Sequence, residues 1–513
     1  MGEPRTHSTP EMAFGGMIAG ARPQSPASRS HWIILGLILV LGAFLRFYGL
    51  THQSLWLDEV ISVQVAQRSP AGIVEKLKTD SHPPLFYFIL KGWMKLFGSS
   101  ETAVRALPAL FGLLLLPVLY WIGAALFGRR AGLLTALVAA VSQFHVRFSQ
   151  EVRMYTLLPL LGLLSLYCLY KAVLEDKTRD WVGYGLLLTA TLYTHNYGAF
   201  IAAAGAAFIG IIALGKKVSW PKYLVANGLV GLAYLPWLPV VTGTQLQNPN
   251  ILGWIPRMRL WHIIETFQFY SGLVFNVFRR RLTMTIMLVG GVVFLACFLA
   301  GVFSIRKRGK FQVPYIPNQA GLVLLLCYLV VTLGLPMLIS IWKPVYLPYR
   351  YSVAAWPAFV LIVGLGLAKF KKGAVRLTCL ALILAVSAVG LYWYHFQWVK
   401  GTDREIAAFI ESKAGPNDII ISTPKIREKP IKYYLHSPME SIGLTTSVGL
   451  HREALAQALA HLKSTGAKVF FLHEPSLKWV PYLEDMKNLL DSNFQMTEKI
   501  KIGNTIVALY ELK

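Results

Sequence analysis

Apolar runs long enough to cross a lipid bilayer recur along most of this chain, and they restrict its fold more than any other feature. The hydrocarbon core of a bilayer is about 30 Å thick and needs roughly 20 predominantly apolar residues in a helix. The composition agrees, because 55% of the 513 residues are hydrophobic and only 15% are charged, which is too apolar for a soluble protein of this size. We predict a polytopic α-helical membrane protein with about 11 transmembrane helices. The runs lie near residues 32–50, 103–127, 131–146, 155–174, 181–196, 198–215, 223–242, 283–304, 320–342, 351–369 and 374–396.

The chain is strongly basic, with 50 Lys and Arg residues against 25 Asp and Glu residues and a net charge of +25. In a soluble protein this excess would suggest a nucleic-acid partner, but here most basic residues cluster beside apolar runs, so the positive-inside rule explains them. A cytoplasmic N-terminus places five basic loops inside, and the triplet Arg279–Arg281 is an exception that falls outside. The inner clusters are Arg129–Arg130, Lys171 with Lys177 and Arg179, Lys216–Lys217 with Lys222, Arg306–Arg308 with Lys310, and Lys369 with Lys371–Lys372.

The amino-acid composition changes along the chain and divides it into three parts. Residues 1–30 are rich in Pro, Gly, Ser and Thr, which predicts a disordered cytoplasmic tail before a first span that is not cleaved. Residues 31–397 form the transmembrane domain, with outer loops 51–102 and 243–282 in which aromatic and basic residues favour short helices along the membrane surface. The cysteines Cys168, Cys297, Cys327 and Cys379 all fall within apolar spans and indicate no disulfide framework.

After residue 397 the apolar runs shorten and alternate with charged residues, which predicts a small extracytoplasmic α/β domain over residues 398–513. It contains no glycine-rich phosphate loop and therefore no sign of a nucleotide site. Its expected elements are helices at 403–414, 451–462 and 482–490, strands at 418–422 and 468–472, and a hairpin at 494–511 that turns at Gly503–Asn504.

Asp58 and Glu59 follow the first span directly, and carboxylates at a membrane surface need an explanation. One explanation is structural, with Asp58 as the N-cap of a helix over 59–67. The other is functional, and we favour it. Adjacent side chains point in different directions, so Asp58 would be the base while Glu59 orients it or binds a cation.

His82 comes before Pro83–Pro84. Each X-Pro bond forces an extended backbone and ends any preceding helix, so a purely structural role is as consistent with this motif as a functional one. Its imidazole, held before a rigid turn and near Asp80, also suits a divalent metal ion or a phosphate.

The segment Ser149–Tyr155 is more informative. Arg147, Glu151 and Tyr155 are spaced by four, so on a helix they share a face and the charges pair, which leaves Arg153 as a candidate contact for another anion. An ion-pair network that closes a helix end is the structural alternative.

Two further candidates stand at the outer ends of later spans. His195 follows the span 181–196 on the same face and qualifies by position alone. Arg350, with Tyr351 beside it, suits the phosphate of a lipid.

Together these residues supply carboxylates and cations at one membrane face, without a Ser-His-Asp pattern. This combination suits group transfer from an anionic lipid. In sugar transfer from a polyprenyl phosphate, the phosphate leaves without needing a proton, so cations or a metal stabilise its charge while one carboxylate deprotonates the acceptor. A single base attacking in line implies inversion at the anomeric carbon.

The motifs and their order resemble the GT-C superfamily of membrane glycosyltransferases (glycosyltransferase family 39 type), in particular the bacterial relatives of the protein O-mannosyltransferases and the lipid A aminoarabinose transferase. The resemblance covers about residues 32–400 and implies a polyprenyl-phosphate sugar donor, an inner-membrane location, Asp58 as base or acceptor holder, and Arg153 facing the donor phosphate. The lipid A enzyme has an acidic residue close before the matching proline, whereas here His82 precedes Pro83. The motifs are Leu55–Glu59, His82–Tyr87, Ser149–Tyr155, and Arg350–Tyr351 with Pro357.

Two other functions compete with a transferase. A transporter or flippase of a lipid-linked saccharide would have polar residues in mid-span and repeated halves, whereas here the polar clusters lie at the outer ends of spans. A scaffold whose outer domain binds a partner would not need the first-loop acids. The sequence therefore favours an inverting transferase that glycosylates a lipid, polysaccharide or protein of the cell envelope.

Overall fold

The computed structural model shows a mostly helical chain that forms two compact units. The membrane unit comprises Met1–Tyr48 and Val65–Gln397, and the C-terminal unit comprises Gly49–Gln64 and Trp398–Lys513. The first part of the loop after the first apolar helix, Gly49–Gln64, thus belongs to the C-terminal unit. The residues described are 28–247, 253, 255–273, 281–303, 305–308, 311–314, 318–423, 427–443, 466–474 and 483–512.

Every apolar run identified in the sequence coincides with helical structure. By length and composition, six of the described helices can cross a membrane, or seven if the bent pair α6–α7 is one span. The chain is therefore a multi-pass membrane protein, and the count of about 11 spans stays a prediction. The helices are α1 Arg29–Phe47, α2 Leu57–Gln67, α3 Pro70–Lys78, α4 Leu85–Phe97, α5 Glu101–Phe127, α6 Arg129–Val141, α7 Gln143–Ser149, α8 Leu157–Glu175, α9 Thr178–Thr194, α10 Gly198–Ala213, α11 Trp220–Tyr234, α12 Trp261–Ser271, α13 Arg281–Val302, α14 Gln319–Ile339, α15 Trp356–Lys369 and α16 Gly373–Tyr392.

Shorter elements complete the membrane unit. Loop 51–102 contains the helices α2, α3 and α4, and loop 243–282 contains α12, so the predicted short helices are present. Their position along the membrane surface stays a prediction. The predicted tail and the basic residues Arg279 and Arg280 lie outside the described residues. The shorter elements are π-helices at Val240–Gln245 and Trp393–Gln397, a 3-10 turn at Tyr351–Ala354, and an antiparallel hairpin of β1 Ile305–Arg308 and β2 Phe311–Pro314.

The core of the membrane unit depends on small residues where helices touch. A β-carbon at Gly366 of α15 would overlap the carbonyl oxygen of Cys297 on α13. One at Gly364 would overlap the hydroxyl of Thr135 on α6. Close helix approach of this kind is typical of membrane proteins, because packing rather than water exclusion holds the helices together.

A buried arginine stabilises the break between α6 and α7, where the chain bends by 63°. The Arg46 guanidinium donates hydrogen bonds to the carbonyl oxygens of Ala139 and Ala140 at 3.1 and 3.0 Å, and it lies 2.8 Å from Nδ1 of His145. Carbonyls at the end of a helix have no partner within it, and their negative dipole end favours a cation. Arg46 therefore fixes the bend from which the segment Ser149–Tyr155 continues.

The C-terminal unit contains a five-stranded sheet in the order β4-β3-β5-β7-β6. Strands β4, β3 and β5 are parallel, whereas β7 runs antiparallel to β5 and β6. Alternate residues of the central strands build one core on each face, around Ile421 and Phe471 on one side and Ile420 and Phe470 on the other. The strands are β3 Ile419–Thr423, β4 Glu440–Gly443, β5 Val469–His473, β6 Phe494–Ile502 and β7 Thr505–Leu512, and the helices are α17 Asp403–Glu411, α18 Glu428–Tyr434 and α19 Leu483–Asn493.

Most of the elements predicted for this unit are present, including the hairpin that turns at Gly503, where φ is +60°. The predicted helix 451–462 lies outside the described residues. Helix α18 and strand β4, with seven and four residues, were not predicted.

Candidate functional site

Six of the residues singled out in the sequence lie close together in the membrane unit. They come from the loop before α4, the turn after α7, the end of α9 and the start of the 3-10 turn. We call this group the cationic cluster, and its members are His82, Arg153, Tyr155, His195, Arg350 and Tyr351.

Both arginines of the cluster lie near the Tyr155 ring. The Cζ atoms of Arg153 and Arg350 are each 5.9 Å from the centre of that ring. Arg153 also approaches the hydroxyl of Tyr87 on α4, with Nη1 3.4 Å from the phenolic oxygen. Since the Tyr155 side chain is buried and Arg153 is only 5% exposed, positive charge is concentrated where little water can screen it.

The two histidines of the cluster contact each other, with ring centres 4.9 Å apart. The Tyr197 backbone N–H donates to Nδ1 of His195 at 3.0 Å, so the proton of a neutral ring is on Nε2. Nε2 of His195 and Nδ1 of His82 are buried, and neither atom has a hydrogen-bond partner among the residues that the structure describes. Buried polar atoms of this kind suit a polar ligand.

The charges of the cluster affect the pKa of His82. Burial lowers the pKa of His82 well below its ordinary value, and the charge of Arg153, the neighbouring His195 and the charge of Arg350 lower it further. The imidazole is therefore neutral at physiological pH. Burial is the main cause of this neutrality, and the two arginine charges that add to it would favour an anion at the site.

Asn196 holds the loop that carries His82. Its amide nitrogen lies 3.1 Å from the Ser81 carbonyl oxygen and 2.9 Å from the side-chain oxygen of Gln245. The end of α9 and the Val240–Gln245 turn therefore fix the backbone next to His82.

Glu151 differs from its prediction. Helix α7 ends at Ser149 and residues 150–156 form turns, so Glu151 and Tyr155 do not share a helical face. The reason is tertiary, because the Gln150 side chain donates to the carbonyl oxygens of Arg46 and Tyr48 at 3.0 and 2.8 Å. The ion pair between Arg147 and Glu151 is present, with Nε and Oε1 3.9 Å apart.

An apolar groove with a volume of about 850 Å³ lies beside the cluster, between α9, α11 and the start of α4. The two helices run parallel, with the Tyr193 hydroxyl bonded to the Ala233 carbonyl at one end and Lys222 paired with Asp176 at the other. Helix α9 has 17 residues, so the groove is up to about 25 Å long. Its lining includes Pro84 and Tyr193, and each of these is two residues from a histidine of the cluster. Leu85, Phe88, Trp181, Gly185, Leu186 and Leu229 also line it.

The first-loop acids belong to the C-terminal unit. Helix α2 begins at Leu57, and the Trp56 carbonyl accepts its first hydrogen bonds. Asp58 therefore lies in the first turn of the helix and is not its N-cap, which corrects the structural alternative for that residue. Glu59 is completely buried, and its Oε2 lies 3.2 Å from Nζ of Lys400.

Among the described residues, no group of three or more His, Cys, Asp or Glu side chains is arranged to hold a metal ion. His82 and His195 would supply two nitrogen ligands to such an ion, and a divalent ion bound by protein side chains usually needs at least three.

Comparisons with known proteins agree on the fold. Residues 81–240 match the family described as dolichyl-phosphate-mannose-protein mannosyltransferase. The crystal structure of ArnT from Cupriavidus metallidurans in the apo state is 14% identical, with 94% of this chain and 98% of that chain covered at a TM-score of 0.59. The same protein bound to undecaprenyl phosphate gives 14% identity, the same coverage and a TM-score of 0.57.

The apo oligosaccharyltransferase of Archaeoglobus fulgidus is 13% identical, with 86% of this chain and 69% of that chain covered at a TM-score of 0.53. A comparison with proteins of curated function found no match. The chain has the fold of the GT-C membrane glycosyltransferases, and the resemblance seen in the sequence is confirmed.

Sequence reasoning missed three residues that support these sites. Tyr87 falls within the His82–Tyr87 motif but was not assigned to the site. Arg46 is a charge inside the first apolar run, and a charge within a span is itself a signal. Lys400 follows the last span and carries no signal beyond its charge.

Proposed function

We propose that this protein transfers a sugar from a polyprenyl-phosphate donor to an acceptor of the cell envelope, with inversion, at the outer face of a bacterial inner membrane. One observation carries the proposal: a buried group of cationic and neutral imidazole side chains adjoins an apolar groove in the same unit. A polyprenyl-phosphate sugar combines these two chemistries, since a phosphate joins a long apolar chain to the sugar.

The groove suits the prenyl chain. Its length of up to about 25 Å is close to the thickness of the hydrocarbon core, about 30 Å. The side chains that line the groove are nearly all apolar. A prenyl chain would exchange contacts with lipid for contacts with protein, so its binding would be favoured mainly by a close fit of shape. Lys222 and its partner Asp176 close the end remote from the cluster.

The cationic cluster suits the phosphate. Arg153 and Arg350 offer planar N–H donors that match phosphate oxygens, and Arg binds phosphate in this geometry better than Lys. The Nε2–H of His195 supplies a neutral donor. A phosphate bound near both guanidinium groups would reduce their mutual repulsion and so stabilise the arrangement.

In the reaction, the acceptor oxygen attacks the anomeric carbon while the bond from that carbon to the phosphate oxygen breaks. The acceptor proton passes to the Asp58 carboxylate, and the bonding electrons leave with polyprenyl phosphate, whose added charge the arginines stabilise. Attack opposite the leaving phosphate inverts the anomeric centre. Glu59 orients the segment that carries Asp58. Glu151, paired with Arg147, holds the backbone turn that presents Arg153.

The comparisons support a lipid-linked donor. One of the solved structures with this fold was determined with undecaprenyl phosphate bound. The family that matches residues 81–240 is named for a sugar carried on dolichyl phosphate. An extracytoplasmic C-terminal unit follows from the predicted topology.

The test is transfer of label from a panel of radiolabelled polyprenyl-phosphate sugars by the full-length protein in nanodiscs, with native envelope extract as acceptor. We expect transfer from at least one donor, and we expect Asp58→Asn to abolish it while the variant still folds and binds polyprenyl phosphate. The control is Asp491→Asn, a carboxylate change in α19, which should leave transfer unchanged. No transfer with any donor would contradict the proposal, and full activity of Asp58→Asn would remove its mechanism.

A further inference from the structure

The segment that carries the first-loop acids is built into the C-terminal unit by side-chain and backbone hydrogen bonds. The Gln53 side chain donates to the Trp398 carbonyl oxygen, and its own oxygen accepts the Lys400 backbone N–H. Two residues further on, the Leu55 backbone N–H donates to the Tyr434 hydroxyl of α18 at 2.6 Å. These bonds join residues more than 340 positions apart in the chain.

A second set of contacts begins at Ser54 and reaches the sheet. The Ser54 hydroxyl accepts the Asp403 backbone N–H at 2.8 Å at the start of α17. The Asp403 carboxylate pairs with Arg427 at 3.2 Å, and Arg427 pairs with Glu474, directly after β5, at 3.1 Å. Burial raises the pKa of Asp403, whereas the Arg427 charge and hydrogen bond lower it. The segment before Asp58 is thus tied to a network that extends across the unit.

Lys400 contacts Glu59, the residue that follows Asp58 in the chain. Its Nζ lies 3.2 Å from Oε2 of Glu59 and 5.5 Å from the centre of the Trp56 ring. Glu59 also accepts the Trp56 backbone N–H at 3.3 Å, as the third residue of a helix does in a capping box. The lysine side chain is only 7% exposed and the glutamate is completely buried, so reversal of either charge would place two like charges together where water screens them little.

We infer that Lys400 is a positioning residue for the transfer reaction and that the C-terminal unit is part of the catalytic apparatus. The Lys400–Glu59 pair holds the first turn of α2, and Asp58 lies in that turn between Trp56 and Glu59. The orientation of the base therefore depends on a residue that follows the last span. This inference rests on the proposed role of Asp58 and adds a function for residues 398–513.

The test exchanges the two charges in the full-length protein. Lys400→Glu and Glu59→Lys are each expected to lower kcat about 100-fold, as small misplacements of a catalytic group do. The double variant with both changes should recover at least about tenfold over the weaker single variant. Because the base is misplaced while the cationic cluster is untouched, the KM for donor and the binding of polyprenyl phosphate should stay unchanged. Lys400→Arg, which keeps the charge, should retain most of the activity.

The matched control is the exposed pair Lys413–Glu498 in the same unit, whose charged atoms are 2.5 Å apart. Reversal of either residue should leave kcat unchanged, since exposed pairs contribute little. Three results would overturn the inference: wild-type kcat in Lys400→Glu, no recovery in the double variant, or loss of donor binding together with kcat, which would indicate a general folding role. If Asp58→Asn is inactive and Lys400→Glu is active, only the positioning role fails. If Asp58→Asn is active, the proposed mechanism itself fails.

Discussion

Replacement of Arg46 by Met tests whether a buried cation maintains the bend that leads into the site. The guanidinium makes four hydrogen bonds, to the carbonyls of Gly42, Ala139 and Ala140 and to His145, at 2.8–3.1 Å. The Ala140 carbonyl would lose its charged donor in a buried position, and an unsatisfied group there costs about 1–3 kcal/mol, whereas the Ala139 carbonyl keeps the Ser142 backbone N–H at 3.4 Å. Removal of a buried charge offsets part of this, because that charge no longer has to be desolvated.

We therefore expect Arg46→Met to lower the free energy of unfolding by about 1–3 kcal/mol. The assay is equilibrium unfolding in mixed micelles by titration with SDS, followed by the rate of sugar transfer under native conditions. Arg130→Met is the matched control, because Arg130 is exposed at the start of α6. The transfer rate should also fall in Arg46→Met, since the bend positions Arg153. Equal stability of the two variants would show that Arg46 does not stabilise the bend between α6 and α7.

Two further predictions concern the cluster and the groove. The pKa of folded His82 lies well below its usual 6.5, so below about pH 6.5 the unfolded chain binds a proton that the folded chain does not. Stability should fall as the pH drops from about 7 to 5, by up to about 1.4 kcal/mol per pH unit from this group. Unfolding of His82→Asn should depend less on pH, and equal slopes would contradict the assignment. A β-carbon at Gly185 would meet only ordinary contacts at 3.9 Å, so Gly185→Leu should fill the groove without distorting it. The KM for a long-chain donor should rise more than that for a short-chain donor, whereas Gly210→Leu, in open space on α10, should change neither. Equal KM values for the two donors in Gly185→Leu would argue against a prenyl chain in the groove.

The helical part of the fold could be predicted because hydropathy is a local property. Each apolar run coincides with helical structure, although the run 131–146 is broken into two helices and the α-helix of the run 223–242 ends at Tyr234. The turn at 150–156 could not be predicted, since the spacing of Arg147, Glu151 and Tyr155 is typical of a helix. The backbone departs from the helix because Gln150 bonds to carbonyls at the end of α1, about 100 residues earlier in the chain. In the C-terminal unit, β4 has only four residues and is too short for a periodic pattern.

The candidate site likewise depends on local sequence motifs in part and on tertiary packing in part. Polar motifs at the ends of apolar runs identified His82, Arg153, His195 and Arg350 one at a time. These residues lie together near Tyr155 because of how the helices pack, and a short sequence motif gives no information on that packing. Lys400 was overlooked for another reason, because the positive-inside rule and the overall basic composition made one more lysine uninformative.

Binding of polyprenyl phosphate to the cationic cluster and the groove can be measured without knowledge of the sugar or the acceptor. We would measure equilibrium binding of polyprenyl phosphate and of uncharged polyprenol to the protein in nanodiscs, with Arg153→Gln and the exposed-site control Arg130→Gln. The account predicts that the phosphate binds more tightly than the alcohol and that Arg153→Gln removes at least about tenfold of that preference, because a charged hydrogen bond contributes about 1.5–3 kcal/mol. Arg130→Gln should bind as the wild type does. Equal affinity for the phosphate and the alcohol, or an undiminished preference in Arg153→Gln, would contradict the account.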